Sequence, residues 1–278
     1  MSYKIILDSC GELPEALKND KRFERVPLGL EVGDYHILDD ENFNQQDFLR
    51  RIAEYSGCAK SSCPSPERFM EACSTEAENI YIVTLSSHLS GSYNSALLGK
   101  QLYLEKDAAK NICVIDSQSA SGGETQIGLL AMELEERGLS FQEIEKKLIA
   151  YRDKLNTFFV LDNLETLRKN GRLSAVKSVV AQTLSIKPIM NAPGGIIQQK
   201  SQAIGIKKAL NKMIDAMHKE IEDLVERRII ITHCNCPERV EYVIGLIKER
   251  FTPKEIIVMP TAGLSTLYAN DGGIIITA

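Results

Sequence analysis

Short runs of Ile, Val and other apolar residues alternate along the chain with longer stretches that have helical spacing. Runs such as Ile229-Ile230-Ile231 show no polar alternation, which is typical of strands buried on both faces, as parallel strands are. The pattern predicts strands at Tyr3–Asp8, Val26–Val32, Asn79–Leu85, Asn111–Asp116, Asn156–Asp162, Arg228–His233, Glu255–Met259 and Gly273–Thr277. It predicts helices at Asn94–Glu105, Gly123–Arg137, Ser140–Lys154, Lys207–Glu226 and Glu238–Arg250. This order favours an α/β fold with mostly parallel sheets covered by helices.

The predicted elements form two series, and the length of 278 residues suits two domains. We expect an α/β domain over residues 1–154, a second over residues 155–278, and a cleft between them. No linker or composition shift marks the boundary, so it is approximate and a discontinuous division stays open. In the second series, Gly171–Ala181 is predicted to be helical in part, and a smaller β element is expected around Ile189–Ile197.

Composition narrows the class of protein. Hydrophobic residues make up 44% of the chain and charged residues 26%, as in a globular protein. The net charge of −5 argues against a nucleic-acid partner and against an anionic membrane. The chain enters a strand at once, without a cleavable apolar segment, and no apolar stretch approaches a spanning helix. Seven scattered cysteines favour free thiols in a reducing compartment, so we expect a cytoplasmic protein without stable membrane insertion.

Serine-rich segments follow three of the predicted strands, and a fourth lies between them. We call these segments the serine loops: Ser9–Glu12, Lys60–Pro66, Ser86–Ser92 and Ser117–Gly123. Ligands of open α/β sheets bind at the carboxyl ends of strands, where hydroxyl and helix N–H groups can hold an anion. The alternative is that each serine caps a helix, which by itself accounts for most Ser-plus-Gly turns. Both interpretations stay open at this point.

A second candidate region is a basic turn, Arg168–Arg172. A predicted helix ends at Asn170-Gly171, and Arg172 follows on the turn. The helix dipole alone explains Arg168 and Lys169, but it explains Arg172 less well. The turn suits docking to an acidic partner or to a phosphate group. A glycine-bracketed loop over Ala262–Gly273 would either close over a ligand or serve as an ordinary connection.

Motifs for catalysis are sparse. The chain lacks the dinucleotide fingerprint, the phosphate-binding P-loop and the nucleophile elbow of α/β-hydrolases. A triad of Ser90, His88 and Asp116 is conceivable, but closeness in sequence does not give triad geometry. His233-Cys234-Asn235-Cys236 offers three metal ligands without a second ligand pair, so small buried residues are the simpler interpretation. We therefore expect no catalytic residues, no metal and no cofactor.

The motifs together resemble those of the DegV family of bacterial fatty-acid-binding proteins. Lys60-Ser61-Ser62-Cys63-Pro64-Ser65-Pro66 resembles the family's Lys-Thr-Ser-Gln-Pro-Ser-Pro. The segment from Leu85 to Ala96 resembles Leu-Ser-Ser-x-Leu-Ser-Gly-Thr-Tyr-Gln-Ser-Ala. Further matches are Asp8-Ser9, Val114–Gly123, Leu167–Ser174, Ile186–Ile189 and Lys207–Leu210. The resemblance covers nearly the whole chain.

The resemblance implies a non-enzymatic carrier that holds one long-chain fatty acid, such as palmitate, in a tunnel between or within its domains. It places the carboxylate at Ser61 or Ser62, with Ser90 and the Gly91 backbone N–H. Relatives present the acid to a fatty-acid kinase that forms an acyl phosphate for phospholipid metabolism, which makes Arg168 and Arg172 the candidates for docking the kinase. The alternatives are an enzyme acting on a small anionic substrate at the same loops and a pure interaction protein.

Two departures from the family pattern affect these expectations. Family members often have an Arg shortly before Lys-Lys-Ala-Leu, where this chain has Ile204 and Ile206 around Gly205. Many members carry a His-Thr-Gly-Pro-Gly-like motif near the C-terminus, and its His contacts the acid. The corresponding loop here has no His, and Tyr268 is the candidate to supply the hydroxyl in its place.

Overall fold

The computed structural model describes residues 3–173 and 185–278. Its first part contains β1 (Tyr3–Asp8), β2 (Phe23–Val26), β3 (Gly29–Val32), β4 (Tyr35–Leu38), α1 (Gln45–Glu54), β5 (Lys60–Ser62), α2 (Pro66–Ala72), β6 (Asn79–Thr84), α3 (Ser92–Leu104), β7 (Asn111–Asp116), α4 (Gly122–Glu136) and α5 (Phe141–Arg152). The rest contains β8 (Thr157–Val160), α6 (Glu165–Lys169), β9 (Ile186–Asn191), β10 (Gln198–Ile204), α7 (Ile206–Glu220), β11 (Arg228–His233), α8 (Pro237–Arg250), β12 (Glu255–Pro260), α9 (Gly263–Ala269) and β13 (Ile274–Thr277).

A parallel sheet of order β2-β1-β6-β7 forms the core of the first part. Every residue of β6 is buried, because α2 and α3 pack on one face of the sheet and α4 and α5 on the other. This two-sided cover explains why the strands read as continuous apolar runs. The α/β class and the parallel pairing predicted for this part are confirmed.

The second sheet has the order β10-β9-β8-β13-β11-β12, and its pairing differs from the prediction. Only β11 and β12 pair in parallel, whereas the other four pairings are antiparallel. The prediction of a mostly parallel sheet is therefore wrong for this part. The Ile229–Ile231 run is apolar because α7 and α8 cover one face and α4 reaches the other, and two-sided cover gives the same pattern whichever way the strands run.

Three short antiparallel strands, in the order β4-β3-β5, form a small third sheet. The predicted strand Val26–Val32 is divided here at Pro27, which lacks the N–H that a continuing ladder needs. The third sheet carries Ser61 on β5, where it pairs with Leu30 of β3.

Some predicted boundaries need correction. The helix predicted to reach Glu226 ends at Glu220, and a 3-10 turn follows at Leu224–Glu226. The Ala262–Gly273 loop contains the helix α9. The β element expected around Ile189–Ile197 is an antiparallel pair of strands, β9 and β10, joined through a 3-10 turn at Pro193–Gly195. The part of Gly171–Ala181 from residue 174 onward lies outside the described residues.

The two halves are packed closely together. A Cβ added at Gly122, where α4 begins, would lie 2.6 Å from the Cγ2 of Ile230 on β11. The parallel sheet and the small sheet take all their strands from before residue 154, and the six-stranded sheet takes its strands from after it. Separate domains at 1–154 and 155–278 stay a prediction. Among the residues described, no helix is both long and apolar enough to cross a membrane.

Candidate functional site

A cavity lies between the two halves and is lined by residues from both. Its wall is mostly apolar: Cys10, Leu28, Leu85, Leu89, Ala120, Phe159, Leu161, Leu167, Ala192, Ile197, Leu264, Ala269 and Ile275. The remaining lining side chains are polar: Ser61, Ser90, Ser119, Ser121, Thr157, Arg172, Ser265 and Tyr268. A chamber of this kind suits a ligand that is largely apolar and carries a small polar part.

The strand β8 sets the direction of the cavity. Thr157 and Phe159 of β8 line it together with Leu161, which directly follows the strand, because alternate residues of extended backbone point to the same side. The other side of this sheet packs against α7 and α8. Thr157 and Leu161 are four residues apart, which is about 13 Å along an extended strand. The cavity is therefore elongated along β8, from the strand's first residue towards α6 and the basic turn.

Four polar residues of the cavity lining lie around Arg172, in the basic turn that follows α6, and we call them the head-group cluster: Ser61, Ser90, Arg172 and Tyr268. The Ser61 Oγ lies 3.0 Å from the Tyr268 hydroxyl. The Arg172 guanidinium carbon lies 6.0 Å from the centre of the Tyr268 ring, at the limit of a cation–π contact. The Arg172 Nε donates to the Leu89 carbonyl at 3.1 Å, next to Ser90. A cation and three hydroxyls thus face one end of an apolar cavity.

Arg172 carries a charge that no acid neutralises within the described part of the chain, since no carboxylate there lies within ion-pair distance of it. Its side chain is only part-buried, but its guanidinium lines the cavity. The turn that carries it is held in place by Asn170, whose side-chain amide donates to the Ala59 carbonyl at 3.0 Å. Gly171 supplies the left-handed conformation, with a φ of 74°. The guanidinium donates to the backbone carbonyls of Leu89 and Asn170 but has no counter-charge among the described residues, so an anion beside it would be favourable.

The other predicted carboxylate-binding groups have different places. Ser90 lines the cavity, and its Oγ accepts the Ser92 N–H at 3.2 Å. Gly91 is exposed at the N-terminus of α3 and is absent from the cavity lining. Ser62 is exposed and is absent from the cavity lining; it borders an outer groove that Ser61, its neighbour on β5, borders as well.

The predicted docking residues are separated by the structure. Arg168 is exposed on α6, and its Nη2 lies 2.8 Å from Oε2 of Glu165. Lys169 is exposed beside it. Arg172 turns inward to the cavity instead. Helical spacing could not reveal this difference, because it depends on the hydrogen bonds of the turn to the carbonyls of Ala59 and Leu89.

Most serines of the loops do not cap helices. Ser65 and Ser121 occupy N-cap positions without a side-chain capping bond. The Ser92 hydroxyl donates to Asp8 at 2.6 Å, that of Ser121 to Glu12 at 2.8 Å, and that of Ser9 to Asp39 at 2.9 Å. These buried serines bond carboxylates from distant parts of the chain. The capping interpretation is therefore wrong for these serines.

The carboxylates form a buried acidic cluster behind the cavity wall, made of Asp8, Glu12 and Glu124 with the Cys10 thiol. Burial is the main cause that raises each pKa, and the pKa of Glu12 rises to about 7. The pKa of Glu124 is raised well above its ordinary value, first by burial and then by the nearby Asp8 charge. Asp8 accepts from the backbone N–H groups of Leu85 and Cys10 and from Ser92, so it is the member best equipped to stay ionised. The sequence analysis did not predict this cluster. Its only sign in the sequence is that three acidic residues lie in segments whose neighbouring residues are buried.

The alternative catalytic and metal candidates have structural partners. The Asp116 carboxylate accepts from Ser87 and Gln118, and His88 is exposed, so within residues 3–173 and 185–278 no hydrogen bond links His88 to Ser90 or Asp116. The His233 Nδ1 accepts the Cys236 N–H at 3.3 Å. Burial raises the pKa of Cys234 to about 11 and that of Cys236 to about 12, which keeps both thiols protonated.

Comparisons with known proteins agree with this geometry. Residues 2–277 match the profile of a family described as uncharacterised proteins of the DegV family. A DegV domain-containing protein of Streptococcus pyogenes serotype M1 is 37% identical, covering 99% of this chain and 98% of its own. A DegV family protein from Ruminococcus gnavus, solved with vaccenic acid, is 50% identical with a TM-score of 0.97 and covers 100% of this chain and 99% of its own. The Fatty Acid Kinase (Fak) B3 protein of Streptococcus pneumoniae, loaded with linoleic acid, is 32% identical with a TM-score of 0.88 and the same coverage. The chain belongs to the DegV family.

Proposed function

We propose that the protein binds one long-chain fatty acid in the cavity, with the carboxylate at the head-group cluster and the acyl chain along β8. The observation that carries the proposal is the Arg172 guanidinium, which faces the apolar cavity beside three hydroxyls without an acidic partner among the described residues. The solved relatives that carry vaccenic and linoleic acids support the same ligand class.

The two parts of a fatty acid match the two parts of the cavity. Each methylene removed from water contributes about 0.8 kcal/mol, so the apolar wall supplies most of the affinity. A carboxylate left among those side chains would be strongly unfavourable. At the head-group cluster it would receive charge-assisted hydrogen bonds from Arg172 and hydroxyl bonds from Ser61, Ser90 and Tyr268.

In this proposal, Tyr268 replaces the His that contacts the acid in many family members. Its hydroxyl already lies 3.0 Å from Ser61, so the two form one donor unit facing the ligand. Of the two predicted serines, Ser61 is the one we assign to the carboxylate, because it lines the cavity and bonds Tyr268, whereas Ser62 is absent from the cavity lining. Gly91 is absent from the cavity lining, and its backbone N–H stays a prediction.

We also propose that the protein presents the bound acid to a fatty-acid kinase and performs no bond chemistry itself. The support is the relative named as a B3 protein of fatty acid kinase, together with the exposed cations Arg168 and Lys169 beside the head-group cluster. Within the described residues, no base is hydrogen-bonded to the Ser90 hydroxyl. We propose that Arg172 binds the carboxylate. Its predicted role in docking the kinase stays a prediction beside this one.

Binding and presentation can be tested separately. Titration calorimetry with palmitate and oleate should give one site per chain in the native protein and in Arg168→Ala. With a fatty-acid kinase and ATP, Arg168→Ala should give less acyl phosphate from the same amount of bound acid. Turnover of esterase or phosphatase substrates by the purified chain, abolished in Ser90→Ala, would instead favour an enzyme acting on a small anion.

A further inference from the structure

Two hydroxyls line the cavity far from the head-group cluster, at the beginning of β8. The Ser119 Oγ and the Thr157 Oγ1 lie 2.6 Å apart, and we call these residues the distal pair. Their exposed fractions are 2% and 5%. The Ala192 N–H donates to the Thr157 carbonyl at 3.1 Å, which holds this part of the wall together. The distal pair therefore places polar atoms beside the acyl chain of the proposed ligand.

The hydroxyls of the distal pair can accept more hydrogen bonds than the described residues donate to them. Two hydroxyls offer two donor hydrogens and four acceptor lone pairs. Among the described residues, their only side-chain contacts of this kind are the bond between them and a long 3.4 Å bond from Ser119 to the Ala120 carbonyl. Most of the lone pairs thus have no donor. Each hydroxyl has a partner, but the remaining lone pairs can accept from a ligand, so a ligand hydroxyl here would find acceptors that an alkyl chain cannot use.

The other hydroxyls of the wall either bond buried protein groups or are assigned to the carboxylate. Ser121 donates to Glu12 and lies 2.7 Å from the Thr232 Oγ1, and Ser265 bonds Glu12 as well. Ser61 and Tyr268 bond each other in the head-group cluster. Among the described residues, the distal pair thus has lone pairs free to accept hydrogen bonds from a ligand, and it is not assigned to the carboxylate.

We propose that the protein accepts a long-chain fatty acid that carries a hydroxyl group on its acyl chain, and that Ser119 and Thr157 bind this hydroxyl. The inference rests on the proposed function, because it needs the carboxylate at the head-group cluster to set the register of the chain. The ligand hydroxyl donates to Ser119 and accepts from Thr157, while Ser119 donates to Thr157 and gives up its long bond to the Ala120 carbonyl. A plain alkyl chain at the same place leaves the pair without this partner.

The test is a competition between stearic acid and each positional isomer of monohydroxystearic acid, present in equal amounts. Bound lipid is extracted from the protein and quantified by mass spectrometry. In the native protein, at least one isomer should be retained over stearic acid by about tenfold, the effect of one hydrogen bond in a dry site. Thr157→Ser keeps the hydroxyl and should keep the preference. Ser119→Ala combined with Thr157→Val should reverse it while stearic acid is still bound.

The outcomes separate this inference from the proposed function. Retention of stearic acid over every isomer by the native protein would overturn the role of the distal pair and leave fatty-acid binding intact. An unchanged preference in the double variant would also overturn it. Failure of the native protein to bind any of these acids would overturn the proposed function, and the inference with it.

Discussion

The serine loops contain two groups of hydroxyls that look alike in sequence and differ in what they contact. Ser9, Ser92 and Ser121 are fully buried and donate to Asp39, Asp8 and Glu12. Ser61 and Ser90 lie at the cavity with Arg172 and Tyr268. The first group donates to buried carboxylates in the core, whereas the second lines the cavity, where Ser61 bonds Tyr268 and Ser90 accepts from the Ser92 N–H. Under the proposed function, a structural serine and a binding serine therefore differ in their partners rather than in their motif.

The largest effect, a loss of folding stability, is expected from replacing Asp8, the buried acid that accepts from Ser92. Asp8→Ala leaves the Leu85 N–H, the Cys10 N–H and the Ser92 hydroxyl without an acceptor in the core. We expect the free energy of unfolding to fall by at least about 3 kcal/mol in urea titrations. Asp116→Ala is the matched control, since Asp116 also follows a strand but bonds the exposed Ser87, and it should cost less than about 1 kcal/mol. Equal losses in the two variants would remove the distinction between the buried and exposed loops.

The next effect concerns pH. Burial raises the pKa of Glu12 to about 7 from its ordinary 4.5. Between these values the folded protein keeps a proton that the unfolded chain releases, so the free energy of unfolding falls as pH rises and levels off above about 7. The shift corresponds to roughly 3 kcal/mol as an upper value.

Glu12→Gln should flatten this slope when urea titrations are compared at pH 5, 6, 7 and 8. The difference between the slopes reports Glu12 together with the effect of its charge on the pKa of Glu124 and Cys10. Parallel slopes in the native protein and in Glu12→Gln would show that Glu12 is not the group that titrates.

The binding group should respond through ligand affinity instead of stability. Arg172→Ala removes the cation beside the carboxylate and should weaken palmitate binding by about 1.5–3 kcal/mol, or roughly 10- to 150-fold. Arg168→Ala should leave the affinity unchanged, because Arg168 is exposed and paired with Glu165. Calorimetry on both variants measures the contrast. If Arg172→Ala kept full affinity and lost only the transfer of phosphate by the kinase, docking would be its main role.

The smallest effect is expected from the hydroxyl of Tyr268. Tyr268→Phe keeps the ring under Arg172 and removes one donor, which should cost about 1 kcal/mol of binding free energy. Because Ser61 and Tyr268 are bonded at 3.0 Å, their effects should not add, and a double-mutant cycle with Ser61→Ala measures the coupling. Ser62→Ala is the control and should not change the affinity. Strict additivity of Ser61→Ala and Tyr268→Phe would mean that the two hydroxyls do not act as one unit.

The sequence allowed correct prediction of features that depend on local pattern. The strands β1, β6, β7 and β11 follow from apolar runs, and the capping box at Ser140 and Glu143 begins α5 one residue after the predicted start. The antiparallel pairing of β13 between β8 and β11 could not be predicted, since two-sided burial gives the same composition in either direction.

From the sequence, only those residues of the site that lie in or near recognisable motifs could be predicted. The motifs led to Ser61, Ser90 and Tyr268, which all line the cavity. In the proposed function, the assignment of the carboxylate to Ser61 rather than Ser62 depends on the register of the three-residue strand β5. The position of Arg172 at the cavity depends on its hydrogen bonds to the Leu89 and Asn170 carbonyls. The distal pair joins residues 38 positions apart, so no local signal connects Ser119 to Thr157.

The central claim is that a fatty acid occupies the cavity with its carboxylate at Arg172. The most direct test is organic extraction of the freshly purified native protein and of Arg172→Ala, followed by mass spectrometry of the lipid. We predict close to one fatty acid per chain in the native protein and clearly less in Arg172→Ala after identical washing. An empty native extract, with no uptake of added palmitate or oleate, would contradict the claim.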